Sequence, residues 1–81
     1  MDKEVISLVE NLVAQALEVP VDRVREGGAM EAIKEWDSLG HLSILVALDK
    51  KFSGKAAKIS ELSKATSVEK IAEILCEHQL I

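Results

Sequence analysis

Trp36-Asp37-Ser38-Leu39-Gly40-His41-Leu42-Ser43-Ile44-Leu45-Val46-Ala47-Leu48-Asp49-Lys50-Lys51-Phe52 is the stretch on which the fold turns. From Ser38 onward its apolar residues recur at helical spacing, so a helix is expected over residues 38–52, ended by Gly54. At about 100° per residue, Ile44, Leu45, Leu48 and Phe52 fall on one side of that helix. Leu39, Leu42 and Val46 fall on another. A surface helix needs only one such stripe. The second must face other helices or a partner, because small domains seldom leave apolar patches bare. The helix is therefore either central in a bundle or a docking element.

The flanking segments supply what that helix packs against. Val5, Leu8, Val9, Leu12, Val13 and Ala16 form one apolar stripe, so residues 3–18 read as a helix. Asp2 suits its cap and Glu4 the positive end of its dipole. Pro20 stops it, since the residue before a proline is pushed out of the helical region. Residues 19–37 read as a long loop, with Val21 and Val24 pinning one turn and Met30, Ile33 and Trp36 tacking down its second half. Gly27-Gly28 punctuates it, and a loop of this length in so small a domain points to a functional task. A short helix is expected over 59–63, with Ile59 and Leu62 facing inward. Thr66-Ser67-Val68-Glu69 reads as a capping box with Thr66 as the cap, opening a helix over 67–78 that buries Val68, Ile71, Ala72 and Leu75. Nothing alternates with period two and nothing repeats. The expectation is a single all-α domain, 1–81: a small bundle of three main helices plus one short one.

Composition agrees with a core and narrows the function. Of 81 residues 48% are hydrophobic, which argues against disorder. Trp36 and Phe52 are the only aromatics, and the net charge is -4, so the basic patch and stacking platform of a nucleic-acid binder are missing. The longest apolar run, Ile44 to Leu48, is far short of a membrane span. Met1-Asp2-Lys3-Glu4 is acidic where a signal peptide is basic, so a cytoplasmic location is expected. A lone Cys76 can neither staple the fold nor build a zinc site, and no metal is expected. Charge is uneven: residues 1–37 carry a net of -5 and residues 38–81 a net of +1. Lys50, Lys51, Lys55 and Lys58 concentrate the positive part.

The turn before the central helix carries the chemistry-bearing residues. Asp37 and Ser38 both favour a helix start, so ordinary capping explains them in part. Gly40 has no capping role there and costs up to about 1 kcal/mol against alanine. It is expected to admit a partner close to the backbone, and Gly40→Ala is expected to leave stability unharmed. His41 is out of place at the positive end of a helix when protonated. An enzyme is not expected: His41 has no orienting acid on its own face, His78 lies in the last helix, and the chain is too short for a substrate cleft. Cys76 reads as a small core-edge residue with nothing basic to activate it.

Asp37-Ser38-Leu39, opening a helix after a long loop in an acidic helical domain of this size, resembles the acyl carrier proteins. The similarity covers nearly the whole chain. The first apolar stripe, the Pro20-Val21 exit, the run Leu45-Val46-Ala47-Leu48 to Phe52 and the Thr66-Ser67-Val68 restart sit in matching places. The resemblance implies that a phosphopantetheinyl transferase moves 4′-phosphopantetheine from coenzyme A onto Ser38, with Asp37 helping it recognise the serine. The arm's thiol then carries acyl groups as thioesters for fatty acid, lipid, polyketide or related specialised biosynthesis. It further implies a docking face of Leu39, Gly40, Leu42, Val46 and Asp49, and an acyl channel lined by Leu48, Ile59, Leu62 and Ile71 between the second main helix and the last. Expected partners are the transferase, an acyl-loading ligase or acyltransferase, and synthase or transferase acceptor enzymes. A monomer is expected.

The chain departs from the fatty-acid-synthesis carriers, which are strongly acidic along this helix. Here Gly40, His41 and Ser43 follow the serine, Asp49 is the clearest acid, and lysines stand where acids are common. The run Trp36-Asp37-Ser38-Leu39-Gly40-His41-Leu42 resembles stand-alone carriers of specialised pathways, or peptidyl carrier domains. Two alternatives stay open: a peptidyl or aminoacyl carrier of a non-ribosomal pathway, and a helical interaction adaptor that bears no arm.

Overall fold

Asp2 opens the first helix by accepting the Glu4 N–H at 3.0 Å. The computed structural model describes residues 2–81. Helix α1 runs Lys3–Leu17 and ends at Glu18, whose left-handed backbone (φ 58°) turns the chain back. Val9, Val13, Ala14 and Leu17 are buried, and the flanking Val5, Leu8, Leu12 and Ala16 are half-buried against the same core.

The expected loop 19–37 is not structureless. Pro20 sits just before a second helix, α2, Val21–Gly27. The ring that ends α1 also presets the backbone for a new start, because a proline lacks only an N–H that the first turn leaves unpaired anyway. Val24 is fully buried and Gly28 closes the helix at φ 70°. Two turns are too short to show a helical period in the sequence, so α2 reads there as a single pinned turn. A 3₁₀ turn, Met30–Ala32, follows, and Ile33 and Trp36 are buried as expected.

Helix α3 is Ser38–Lys51 and α4 is Val68–Glu77, each a residue or so shorter than expected at its ends. The short helix expected at 59–63 is instead a 3₁₀ turn, Ser60–Lys64, preceded by another at Ala56–Lys58. The cap of α4 is Ser67, whose Oγ accepts the Lys70 N–H at 3.1 Å, and not Thr66. The reason is a tertiary bond. The Thr66 carbonyl accepts the Met30 N–H and the Gly28 carbonyl accepts the Val68 N–H, both at 2.9 Å. This isolated antiparallel bridge holds the chain extended through Ser67, one residue past the expected start.

The four helices form a small bundle, with α1 packed on α2, α3 and α4. Val9, Val13, Ile44, Leu48, Ile71 and Leu75 meet in its centre. The radius of gyration, 11.2 Å, is close to the ~12 Å of one compact domain of this length, so the described residues form a single unit. No described helix is long and apolar enough to cross a membrane.

Candidate functional site

The site is the turn that opens α3. Asp37 is its N-cap: Oδ1 accepts the Gly40 N–H at 2.8 Å, and its carbonyl accepts the His41 N–H at 2.8 Å. Ser38, the first helical residue, is exposed. The Asp37 side chain occupies the third amide of the helix, and the amides of Ser38 and Leu39 have no partner among the described residues. No acid follows the cap in the first turn. Two unpaired N–H groups at the positive end of a 14-residue helix favour an anion there.

Behind this turn lies a buried pair, of which sequence reasoning placed Trp36 inside and missed His41. Trp36 is 1% exposed and His41 is 7% exposed. The indole Nε1 donates to His41 Nδ1 at 3.0 Å, and the two rings lie nearly parallel, 12° apart. His41 Nε2 lies 2.9 Å from the Leu62 carbonyl oxygen. A signal existed: His41, Ile44 and Leu48 are three and four apart and share the buried face of α3. A histidine in register with two core aliphatics is a buried histidine.

Gly40 has a reason inside the molecule, which corrects the expectation that Gly40→Ala leaves stability unharmed. A Cβ there would collide with the Glu35 carbonyl oxygen and come within 2.8 Å of Leu17 Cδ2. The absent side chain lets the 33–37 segment and α1 close on α3. Glu35 is itself tied to α2: Arg23 Nη1 donates to Oε2 at 2.7 Å, while Nη2 lies 2.7 Å from Oε1 at a poor hydrogen-bond angle. That hydrogen bond from Arg23 holds the Glu35 carboxyl below its usual value and raises the Arg23 guanidinium.

The remaining residues separate into three places. Leu39, Leu42 and Val46 are 76%, 56% and 48% exposed, an outward apolar stripe running down α3 from Ser38. Asp49 is half-buried and is occupied within the fold, accepting the Ala57 N–H at 3.1 Å. All four channel residues are buried in the core, and of them only Ile59 and Leu62 also wall an open groove of about 400 Å³. Leu45, Val46, Ala56 and Ala57 complete its apolar lining, and Asp49, Lys50, Ser60 and Ser63 are its polar residues. The groove therefore lies between α3 and the two 3₁₀ turns, not between α3 and α4. Helix α4 packs on α1 and on the 3₁₀ turn Ser60–Lys64 and lines none of the groove. A larger hollow of about 440 Å³ reaches from Glu4 to Lys51 and includes no residue of the 36–42 turn. No group of three or more potential metal-ligating side chains occurs among the described residues.

Comparison with known protein families, with characterised proteins and with solved structures returned no match to this chain.

Proposed function

We propose that this domain is a carrier protein whose Ser38 bears a covalent 4′-phosphopantetheine arm, with acyl groups as its cargo. The observation that carries the reading is the placement of Ser38: exposed, first in its helix, and flanked by a cap that leaves two amides free. The site fits the group. A phosphodiester on Ser38 Oγ would sit at the positive end of α3 beside the Ser38 and Leu39 N–H groups. Asp37 is already engaged with Gly40, so its carboxylate is held in place as a recognition feature at the serine.

The attachment step needs little from this chain. The Ser38 oxygen forms a new bond to the phosphorus next to pantetheine in coenzyme A, the pyrophosphate P–O bond breaks so that 3′,5′-ADP leaves with its electron pair, and the transferase takes the hydroxyl proton. When bound, the arm supplies a thiol that carries acyl groups as thioesters. The chain's own work is to expose the serine beside a capped helix start and to offer Leu39, Leu42 and Val46 as apolar anchors for docking enzymes. The groove beside Leu45, Ile59 and Leu62 is the proposed shelter for an acyl chain. Lysines around the C-terminal end of α3 suit partners of specialised pathways that present acidic docking faces.

The test is the intact mass after incubation with coenzyme A and a broad-specificity phosphopantetheinyl transferase. A gain of one phosphopantetheine supports the carrier. An unchanged mass, with the transferase active on a control carrier, favours the adaptor reading.

A further inference from the structure

His41 faces inward one turn from Ser38, and neither arm attachment nor docking gives it a task. Its hydrogen bonds define its state. An indole nitrogen can only donate, so the 3.0 Å bond from Trp36 Nε1 makes His41 Nδ1 a bare acceptor. The single ring proton is then on Nε2 and is donated to the Leu62 carbonyl at 2.9 Å. The ring is thereby anchored at both edges. One anchor belongs to the turn that presents Ser38, and the other to the 3₁₀ turn Ser60–Lys64 that walls the groove. That wall has weak ties of its own. The Leu62 and Ala65 amides bond within the turn at 3.2 Å each, and 3₁₀ geometry makes poorer hydrogen bonds than an α-helix. An aliphatic residue at 41 would fill the same space but could not fix this turn.

We propose that His41 is a positioning residue which, as the neutral Nε2–H tautomer, straps the Ser38 turn to the groove wall at Leu62. Attachment site and groove then move as one body. The consequence for arm transfer rests on the carrier reading, whereas the strap itself is a property of the unmodified protein.

Imidazole ¹⁵N shifts of the wild type should show Nδ1 bare and Nε2 protonated; the reverse tautomer overturns the strap. Two variants then divide its bonds. In His41→Asn the shorter amide reaches Trp36 but not Leu62, and in His41→Gln the longer amide reaches Leu62. Exchange of the Leu62 and Ala65 amides should speed up about tenfold in His41→Asn, the loss of one buried hydrogen bond, and return to within about threefold of wild type in His41→Gln. Val9 and Val13 amides in α1 should be unchanged in both. With the transferase, His41→Asn should raise KM about tenfold at constant kcat, as expected when presentation rather than chemistry is disturbed, and His41→Gln should restore it. Equal loosening in both variants, or loosening that spreads to α1, makes His41 a packing residue and overturns the proposal. An unchanged KM in His41→Asn overturns the coupling to Ser38. A wild type that never accepts an arm defeats the carrier reading instead, and the exchange data still decide the strap.

Discussion

At Gly40 one methyl group sets two elements against each other. The residue looks expendable by helix propensity, yet its Cβ would press on the Glu35 carbonyl and on Leu17. Gly40→Ala should therefore destabilise the domain by about 1–3 kcal/mol, the usual cost of overpacking, despite its better helix propensity. A urea melt checks this, and a variant as stable as wild type would show that the 33–37 segment gives way freely. Glu35 adds a pH dependence to the same segment. Its carboxyl is lowered from 4.5 mainly by the Arg23 hydrogen bond, so the unfolded chain takes up that proton first as the medium is acidified. The contribution is complete above the ordinary glutamate range and is lost as pH falls through the lowered value. Glu35→Gln should lower the urea midpoint slightly at neutral pH, and that deficit should close as pH falls below about 4.5, which flattens the acid side of the plot. The pair is exposed, so the difference should be small and should shrink further with added salt. Ser38 and Asp37 were legible because capping is a local affair. The burial of His41 was legible in its spacing from Ile44 and Leu48, but its bond to Leu62 and the reason for Gly40 were not, because they lie twenty-one and five residues away, at Leu62 and Glu35.

Among the elements, α3 shows most plainly what periodicity can and cannot reveal. Its two apolar stripes were readable, and the structure separates them: Ile44 and Leu48 are fully buried, while Leu39, Leu42 and Val46 face outward. Leu45 belongs to neither group, being half-buried along the groove. Leu48→Ala should cost about 2–5 kcal/mol, enough to unfold much of a marginal domain, through lost transfer energy and a residual cavity. Leu42→Ala and Val46→Ala should change stability by about 0.5 kcal/mol or less and still slow arm transfer or cargo loading. Urea melts beside a transferase assay separate the two effects; equal destabilisation by all three would make the outer stripe core. Helix α2 escaped detection because seven residues with one buried valine carry no period. The cap of α4 moved from Thr66 to Ser67 because a bridge from Gly28 and Met30 sets the backbone there, and that bridge is invisible in local sequence.

Over the whole molecule, charge is uneven: residues 1–37 carry a net of -5 and residues 38–81 a net of +1, with Lys50, Lys51, Lys55 and Lys58 at and just beyond the C-terminal end of α3. Lys50 and Lys51 also suit the negative end of α3, so part of their role is structural. Charges at a docking rim act chiefly on encounter rate and specificity. Lys50→Glu combined with Lys51→Glu should raise turnover with a partner enzyme whose docking face is basic and lower it with one whose face is acidic. Both effects should fade between low and moderate salt, as screening over about 8–10 Å predicts. Rates insensitive to the reversal would reduce these lysines to solvated surface. The proposed function, however, depends on the serine at the head of α3. The most direct measurement is intact mass after treatment with coenzyme A and a phosphopantetheinyl transferase, for wild type and Ser38→Ala side by side. The account predicts a gain of one phosphopantetheine on the wild type, none on Ser38→Ala, and the same helical circular dichroism for both. An unmodified wild type, or an arm that persists without Ser38, would contradict it.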